Sequence, residues 1–463
     1  MFTTALLVAG LAVGQPPTPA APPAGGPGAP VLARGGPSTL PNLGSVVPDI
    51  RGSVGNPDTG AAEDKAGEKE EPYKTPARLE GGLFPRRFLR SYYDTFMGGK
   101  NPNWDAEPGP NRDSPAVFSQ PPFALSQHLG PAIGAAPDTT AYPLMQALYG
   151  GPFGDQLKQS RIRAYGWVDA GMNYSSSRQS NVPTAYAIVP NRLELDQAIL
   201  RIERVLDTAQ TDHWDWGFRM TNLYGIDYRY TTAQGYFSQQ LLNNNHLNGY
   251  DPLELFAELY IPDIMEGFTL RVGRYISPPD IEAQLAPDNY LYTHSLLFTY
   301  DAYTHTGFIG SLRLDKQWTV QAGMFAGTDI APWTNAAVPT FNAAVRWVSE
   351  DQNDSVYLVA NSINDGQYRA AAGHDNLNYV VANYTHRFNE RLNTYFETYY
   401  MWQFNALKGG TVNNGPVEPF GGGGGPGPLI PGRSQAYGVV NYTNYKIDKQ
   451  NYVTFRNEWW NDE

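Results

Sequence analysis

RIRAYGWVDAGMNY, residues 161–174, decides the fold. Arg161, Arg163, Trp167 and Asp169 occupy odd positions, and Ile162, Ala164, Gly166, Val168, Ala170 and Met172 occupy even ones. Successive side chains of a strand leave it on opposite faces, so this is one strand with a charged face and an apolar face. Its apolar face meets either a protein core, or lipid with water behind the charged face.

Outward from this stretch, about twelve more strand-like segments follow, near 192–206, 213–229, 251–261, 267–277, 304–314, 317–328, 340–349, 354–362, 376–388, 392–404, 435–446 and 450–461. Many are about 10 residues long. Strands of a soluble sandwich usually run about five or six, whereas a bilayer-spanning strand needs about 9 to 11. Connections alternate in length. They are short at Lys316, Asp351 to Asp354, Asn389-Glu390 and Asp448-Lys449, and long from Pro279 to about 300 and through the glycine run after Phe420. Short turns on one side and long loops on the other mark an up-and-down barrel of the outer membrane. The expected fold is all-β, an antiparallel up-and-down transmembrane β-barrel. About 13 strands are present, and closure at about 14 to 18 would leave an aqueous channel.

Composition agrees. Charged residues are 17% of the 463, against a usual quarter or so, while Tyr (30) and Trp (10) are abundant. Mean hydropathy is −0.43, and beyond the extreme N-terminus no apolar run approaches the roughly 18 residues of a spanning helix. A net charge of −12 without a basic patch argues against nucleic acid as a partner. The absence of cysteine excludes disulfides, thiolate metal sites and cysteine nucleophiles.

Four segments are expected. Residues 1–14 read as a signal peptide, with Ala12 and Gly14 before a cut at Gln15. Residues 15–76 are Pro, Ala and Gly with a charged tail, a disordered linker. Residues 77–160 form a mostly irregular periplasmic extension with short helices. In it Phe84, Phe88, Tyr92 and Phe96 make a stripe at i, i+4 spacing, suited to a membrane interface, to docking, or to packing within its own domain. Residues 161–463 are the outer membrane barrel, C-terminally incomplete.

The faces of several strands sort by parity. Arg161, Arg163, Asp169, Arg201, Glu203, Arg219, Arg271, Arg346, Glu397, Arg456 and Glu458 are expected to line a water-filled lumen. Ile162, Ala164, Val168, Leu200, Ile202, Phe396, Val453 and Phe455 are expected to face lipid. Facing lipid, an Arg or Lys would cost about 2–4 kcal/mol at midplane, which assigns the charges to the lumen. Tyr and Trp near strand ends, as in 213–216, 399–402 and 459–460, suit aromatic girdles at the membrane interfaces.

No catalytic constellation emerges. The seven His include no HExxH and no i, i+4 pair, so no metal site is expected. Nucleophile-elbow and P-loop motifs are absent. The glycine run at 421–425 lacks a following Lys. Glu254, Glu258, Asp280 and Glu282 could be paired for glycoside hydrolysis, but lumen-facing carboxylates explain them as well. No cofactor is expected.

In AYPLMQALYG, IRAYGWVDAGMNYSSS, LDQAILRIERVLDT, WGFRMTNLYGIDYRYTTAQGYF, FTLRVGRYISPPDIE, THSLLFTYDAYTHTGFIGSLRLDKQWTVQAGMFAGTD and TFRNEWWNDE, the chain resembles the putative β-barrel porin-2 (OmpL-like) family, over roughly residues 140–463. The resemblance implies an outer membrane porin passing small polar or charged solutes, with no catalytic residues to carry over. Because the sequence stops at Glu463 after a thirteenth strand, further strands are expected beyond it. Expected partners are outer membrane lipid, small solutes, a periplasmic or cell-wall contact through residues 15–160, and further copies of the chain. The alternative is a secreted carbohydrate-binding or carbohydrate-cleaving β-protein.

Overall fold

The computed structural model describes residues 82–97, 140–178, 189–244, 246–278, 281–289, 291–364, 377–405, 431–447 and 452–462, and the single positions 133, 134, 137, 181, 186 and 187. The expected signal peptide, the linker and the glycine run lie outside the described residues.

Thirteen strands form one antiparallel sheet in which every strand pairs with its sequence neighbours. They are β1 (Ile162–Met172), β2 (Leu193–Arg204), β3 (Asp215–Gly225), β4 (Gly249–Ile261), β5 (Phe268–Ile276), β6 (Thr304–Arg313), β7 (Trp318–Phe325), β8 (Thr340–Val348), β9 (Asp354–Ile363), β10 (Asn378–Arg387), β11 (Leu392–Phe404), β12 (Arg433–Lys446) and β13 (Tyr452–Asp462). Among the described residues no pairing joins β1 to β13. The expected third strand, 213–229, is shorter at both ends. Its C-terminal part leaves the sheet after Gly225 and turns into the short helix α4 (Tyr228–Thr231). Five more helices are short or lie before the sheet: α1 (Phe84–Phe96), α2 (Pro143–Tyr149), α3 (Gly154–Gln159), α5 (Ser238–Asn243) and α6 (Leu296–Thr299).

Local chemistry fixes the short turns. Asp315 Oδ1 accepts from the backbone N–H of Gln317 and Trp318 at 2.8 Å each, closing the β6–β7 hairpin. Asn389 does the same between β10 and β11, accepting from Arg391 and Leu392. Asp and Asn favour such turns because their side chains stand in for a backbone acceptor. All the short connections lie at the end where β1 begins, which is also where α2 meets the sheet through the Tyr149 hydroxyl, donating to the Ile162 carbonyl.

Exposure alternates along the strands. One apolar residue after another stands open on the outer face: Val168 (64% exposed), Leu200, Leu255, Val272, Phe308, Met324, Phe341, Leu358, Val380, Phe396, Val439 and Phe455. A soluble monomer rarely exposes so continuous an apolar surface, because each such side chain costs free energy in water. Among the described residues no helix is long and apolar enough to cross a membrane. The strands are the elements that cross.

The helix over Phe84–Phe96 forms, but its aromatic stripe does not pack. Arg87 and Ser91 are its buried residues, and Arg87 Nε donates to the Ala147 carbonyl on α2 at 2.8 Å. Phe84, Tyr92 and Phe96 remain exposed. Phe88 is half-buried, and the helix meets α2 through Arg87 and not through the stripe.

Candidate functional site

The connection between β5 and β6, residues 277–303, lies against the inner face of the sheet. Ile281 donates its backbone N–H to Glu397 on β11 at 2.8 Å. Tyr292 donates its hydroxyl to Asp196 on β2 at 3.1 Å. The next residue, Thr293, accepts from Arg456 on β13 at 3.2 Å. Strands β2 and β13 stand eleven spacings apart, about 50 Å in a flat sheet. Contact of both with adjacent residues of one connection means that the sheet is rolled around it.

Glu282 is the anchor of this connection. It is 3% exposed and accepts from the Ser295 backbone N–H at 3.0 Å and from the Tyr442 hydroxyl on β12. Ion-pair partners are His294 at 3.4 Å and Arg456 at 3.5 Å. Burial would raise its carboxyl, but His294, Arg456 and Tyr442 hold it below the usual carboxylate range. Farther along, Leu296 donates to Glu458 at 2.6 Å, and the Tyr399 hydroxyl donates to Asp301 at 2.9 Å.

On β1 to β5 the inner face is a ladder of ion pairs. Glu203 meets Arg219 at 2.8 Å and Arg163 at 3.6 Å. Glu254 meets Arg201 at 3.0 Å and Arg219 at 3.5 Å. Arg271 meets Glu258 at 2.8 Å and lies over the Phe256 ring, 4.3 Å from its centroid. Gly273, opposite Phe256, has φ +137°, and a Cβ there would stand 2.2 Å from the Leu255 carbonyl oxygen. Only glycine lets β5 come this close to β4 at that point.

The charged residues singled out by parity thus separate into four groups. Arg163, Arg201, Glu203, Arg219 and Arg271 form the ladder. Glu397, Arg456 and Glu458 clamp the inward connection. Arg161 and Arg346 stand apart from both. Arg161 precedes β1 at the short-turn rim and pairs with Asp215 at 2.6 Å. Arg346 is buried on β8, its Nε 3.4 Å from the Ser355 hydroxyl. Asp169 lines a cavity described below. Of the apolar set, Val168, Leu200, Phe396, Val453 and Phe455 are exposed, while Ile162, Ala164 and Ile202 are partly covered near the rim.

Two expectations change. The aromatic clusters at strand ends are not uniformly peripheral: Trp214, Trp216 and Trp459 are exposed, but Tyr399 is 2% exposed on the inner face and Trp460 stacks on Tyr300 of the inward connection. Strand alternation divides each cluster between the two faces. Nor do the candidate hydrolytic carboxylates gather. Glu254, Glu258 and Glu282 each have their own cationic partner, and Asp280 lies outside the described residues.

Parity does not reveal Asp196. A bulge opposite Asp169 and Ala170 shifts the register, so Gln197 pairs with Asp169 but Leu195 with Ala170. Asp196 is the extra residue, and both it and Gln197 are buried. Bulges re-aim side chains in this way. Asp227, Tyr292 and His294 lie in connections with no periodicity to read, and Glu282 stands out in the sequence only as a candidate carboxylate and not as the anchor of the connection.

The sequence model of the family described as putative beta-barrel porin-2, OmpL-like, matches residues 161–463. Among solved structures, the outer membrane channel DcaP of Acinetobacter baumannii aligns with a TM-score of 0.37 at 10% identity, covering 65% of this chain and 79% of that one. A mutant of the Rh. blastica porin aligns with a TM-score of 0.29 at 11% identity, covering 65% of this chain and 97% of that one. No curated protein matches the chain.

Proposed function

Because the chain belongs to the putative beta-barrel porin-2, OmpL-like family of the outer membrane, we propose that it is a passive channel for small polar or charged solutes, narrowed by the connection at 277–303. The observation that carries this reading is that connection itself, held from β2 to β13 on the inner face while the outer face stays apolar. Solute would pass between the ion-pair ladder and the inward connection, and the mixed charges would set a weak ion preference. Arg163, Asp169, Arg201, Glu203, Arg219, Arg271, Arg346, Glu397, Arg456 and Glu458 would line the water, with Arg161 at its rim. Ile162, Ala164, Val168, Leu200, Ile202, Phe396, Val453 and Phe455 would meet lipid. The channel has no enzymatic step, and residues 15–160 serve as a periplasmic contact.

The test is single-channel conductance of the full-length protein in planar bilayers. Discrete ohmic steps are expected. The double substitution Glu282→Ala, Glu397→Ala should enlarge them by freeing the connection from β11 and β12. A folded protein that inserts and passes no current would overturn the channel.

A further inference from the structure

We propose that a cavity between the inward connection and strands β1 to β3 is a binding site for a small organic molecule carrying a primary ammonium group. The cavity has a volume of about 160 Å³ and its lining includes Asp169, Asp196, Asp227, Tyr186, Tyr292 and His294. A water's share of liquid volume is about 30 Å³, so the space suits a ligand of several heavy atoms rather than a bare ion.

The walls are acidic and incompletely satisfied. Asp196 and Asp227 are 3% and 3% exposed, and each has one carboxylate oxygen accepting and one, Oδ1, buried with no hydrogen-bond partner. Glu194, two residues before Asp196 and outside the lining, is 6% exposed with neither carboxylate oxygen hydrogen-bonded. A buried acceptor left without a donor costs about 1–3 kcal/mol, more when charged. A ligand that donates to them would remove that cost.

A partner with positive charge and several N–H donors would complete Asp196 and Asp227 as carboxylates. A primary ammonium has both. His294 is the basic side chain in the lining. Its ring lies against Tyr186, with centroids 4.0 Å apart, its Nδ1 is 3.4 Å from Glu282, and it also acts on Asp169, leaving Asp196 and Asp227 to the ligand. Among the described residues no group of three His, Asp or Glu side chains has the arrangement of a metal site, which separates an ammonium compound from a divalent ion. The site stands on this geometry and not on conduction.

Calorimetric titration of the full-length protein in detergent with propylammonium tests it. Saturable binding is expected, weakened at least tenfold in Asp196→Asn and in Asp227→Asn. The half-buried Asp169→Asn supplies a third variant that perturbs folding least, and it should weaken binding severalfold. Tetramethylammonium, which has no N–H, should not compete. Absence of saturable binding, equal binding by variants that retain heat-modifiable migration, or displacement by equimolar calcium would overturn the proposal. Because calorimetry reads no current, a non-conducting protein that still binds would refute the channel and keep the site.

Discussion

Between β1 and β5 the inner face carries Arg163, Arg201, Arg219 and Arg271 against Glu203, Glu254 and Glu258, whereas between β9 and β12 it carries Tyr357, Tyr379, Tyr395, Tyr399 and Tyr442. The first wall satisfies itself, strand to strand. Much of the second is satisfied by the inward connection: Tyr379 meets Ser277 at 3.0 Å, Tyr399 meets Asp301, and Tyr442 meets Glu282. A charged wall needs its counter-ions within reach of neighbouring strands, since an unpaired buried charge is costly. Tyrosine presents an apolar body with one polar tip, so it can pack under a segment and still hold it by a hydrogen bond. The difference teaches that one wall closes its charges on neighbouring strands, while the other holds the inward connection.

The sharpest way to break this comparison is to remove a charge from the first wall. Glu203 serves Arg163, Arg219 and the Tyr165 hydroxyl at once. Glu203→Ala should cost about 3–5 kcal/mol, the range for losing one partner of a buried pair. Urea titration of folding into lipid vesicles, read by heat-modifiable migration, measures it. A loss under about 1 kcal/mol would mean that bulk water already solvates the ladder as a surface pair.

The outer faces should show no such difference. Val272→Arg on β5 and Val380→Arg on β10 both place a cation on the exposed apolar row. Each should cost about 2–4 kcal/mol near the membrane midplane. The same titration in vesicles checks them. Unequal costs in the two halves would show that one of these positions does not face hydrocarbon.

On the second wall, Tyr399→Phe removes one hydroxyl from the buried Asp301 carboxylate and leaves the ring packed. A hydrogen bond to a charged group is worth about 1.5–3 kcal/mol, so the loss should be smaller than for Glu203→Ala. Conductance should rise or become noisier, since one tether of the connection goes. A fully silent substitution in both measurements would remove this wall's hold on the connection from the account.

The strands and their number were legible because alternation survives over much of their length, as around Val168 and Phe455, although bulges interrupt it. The ladder was legible as charges on one parity, although not as pairs, since pairing depends on register: Glu203 opposite Arg219 follows from the β2–β3 alignment and not from spacing in the chain. The tyrosine wall was obscure for a physical reason. Tyr399 and Tyr400 are neighbours of one type that face opposite solvents, and residue type alone cannot tell a girdle from a buried hydroxyl. The inward connection was visible only as a long loop. Its placement rests on contacts more than 100 residues distant, such as Ile281 with Glu397. Asp196 was hidden by a single bulge that reverses the parity on which the reading depends.

Stability against pH separates the walls in a further way. Burial pushes the Asp227 carboxyl well above its usual range, and the nearby Asp196, Asp169 and Glu194 add to the rise, while Gln197 donates to it and opposes the shift. A raised carboxyl favours the protonated folded state. Its stabilising contribution is complete below the unfolded value of about 4 and declines as pH climbs toward the folded value. Asp227→Asn fixes the neutral form, so it should match the wild type near pH 3 and exceed it in stability at neutral pH. Urea midpoints of the two proteins at several pH values, without ammonium ligands, test this. If Asp227→Asn is the less stable protein at neutral pH, the carboxylate is held charged by a partner, and the acidic cavity is already filled.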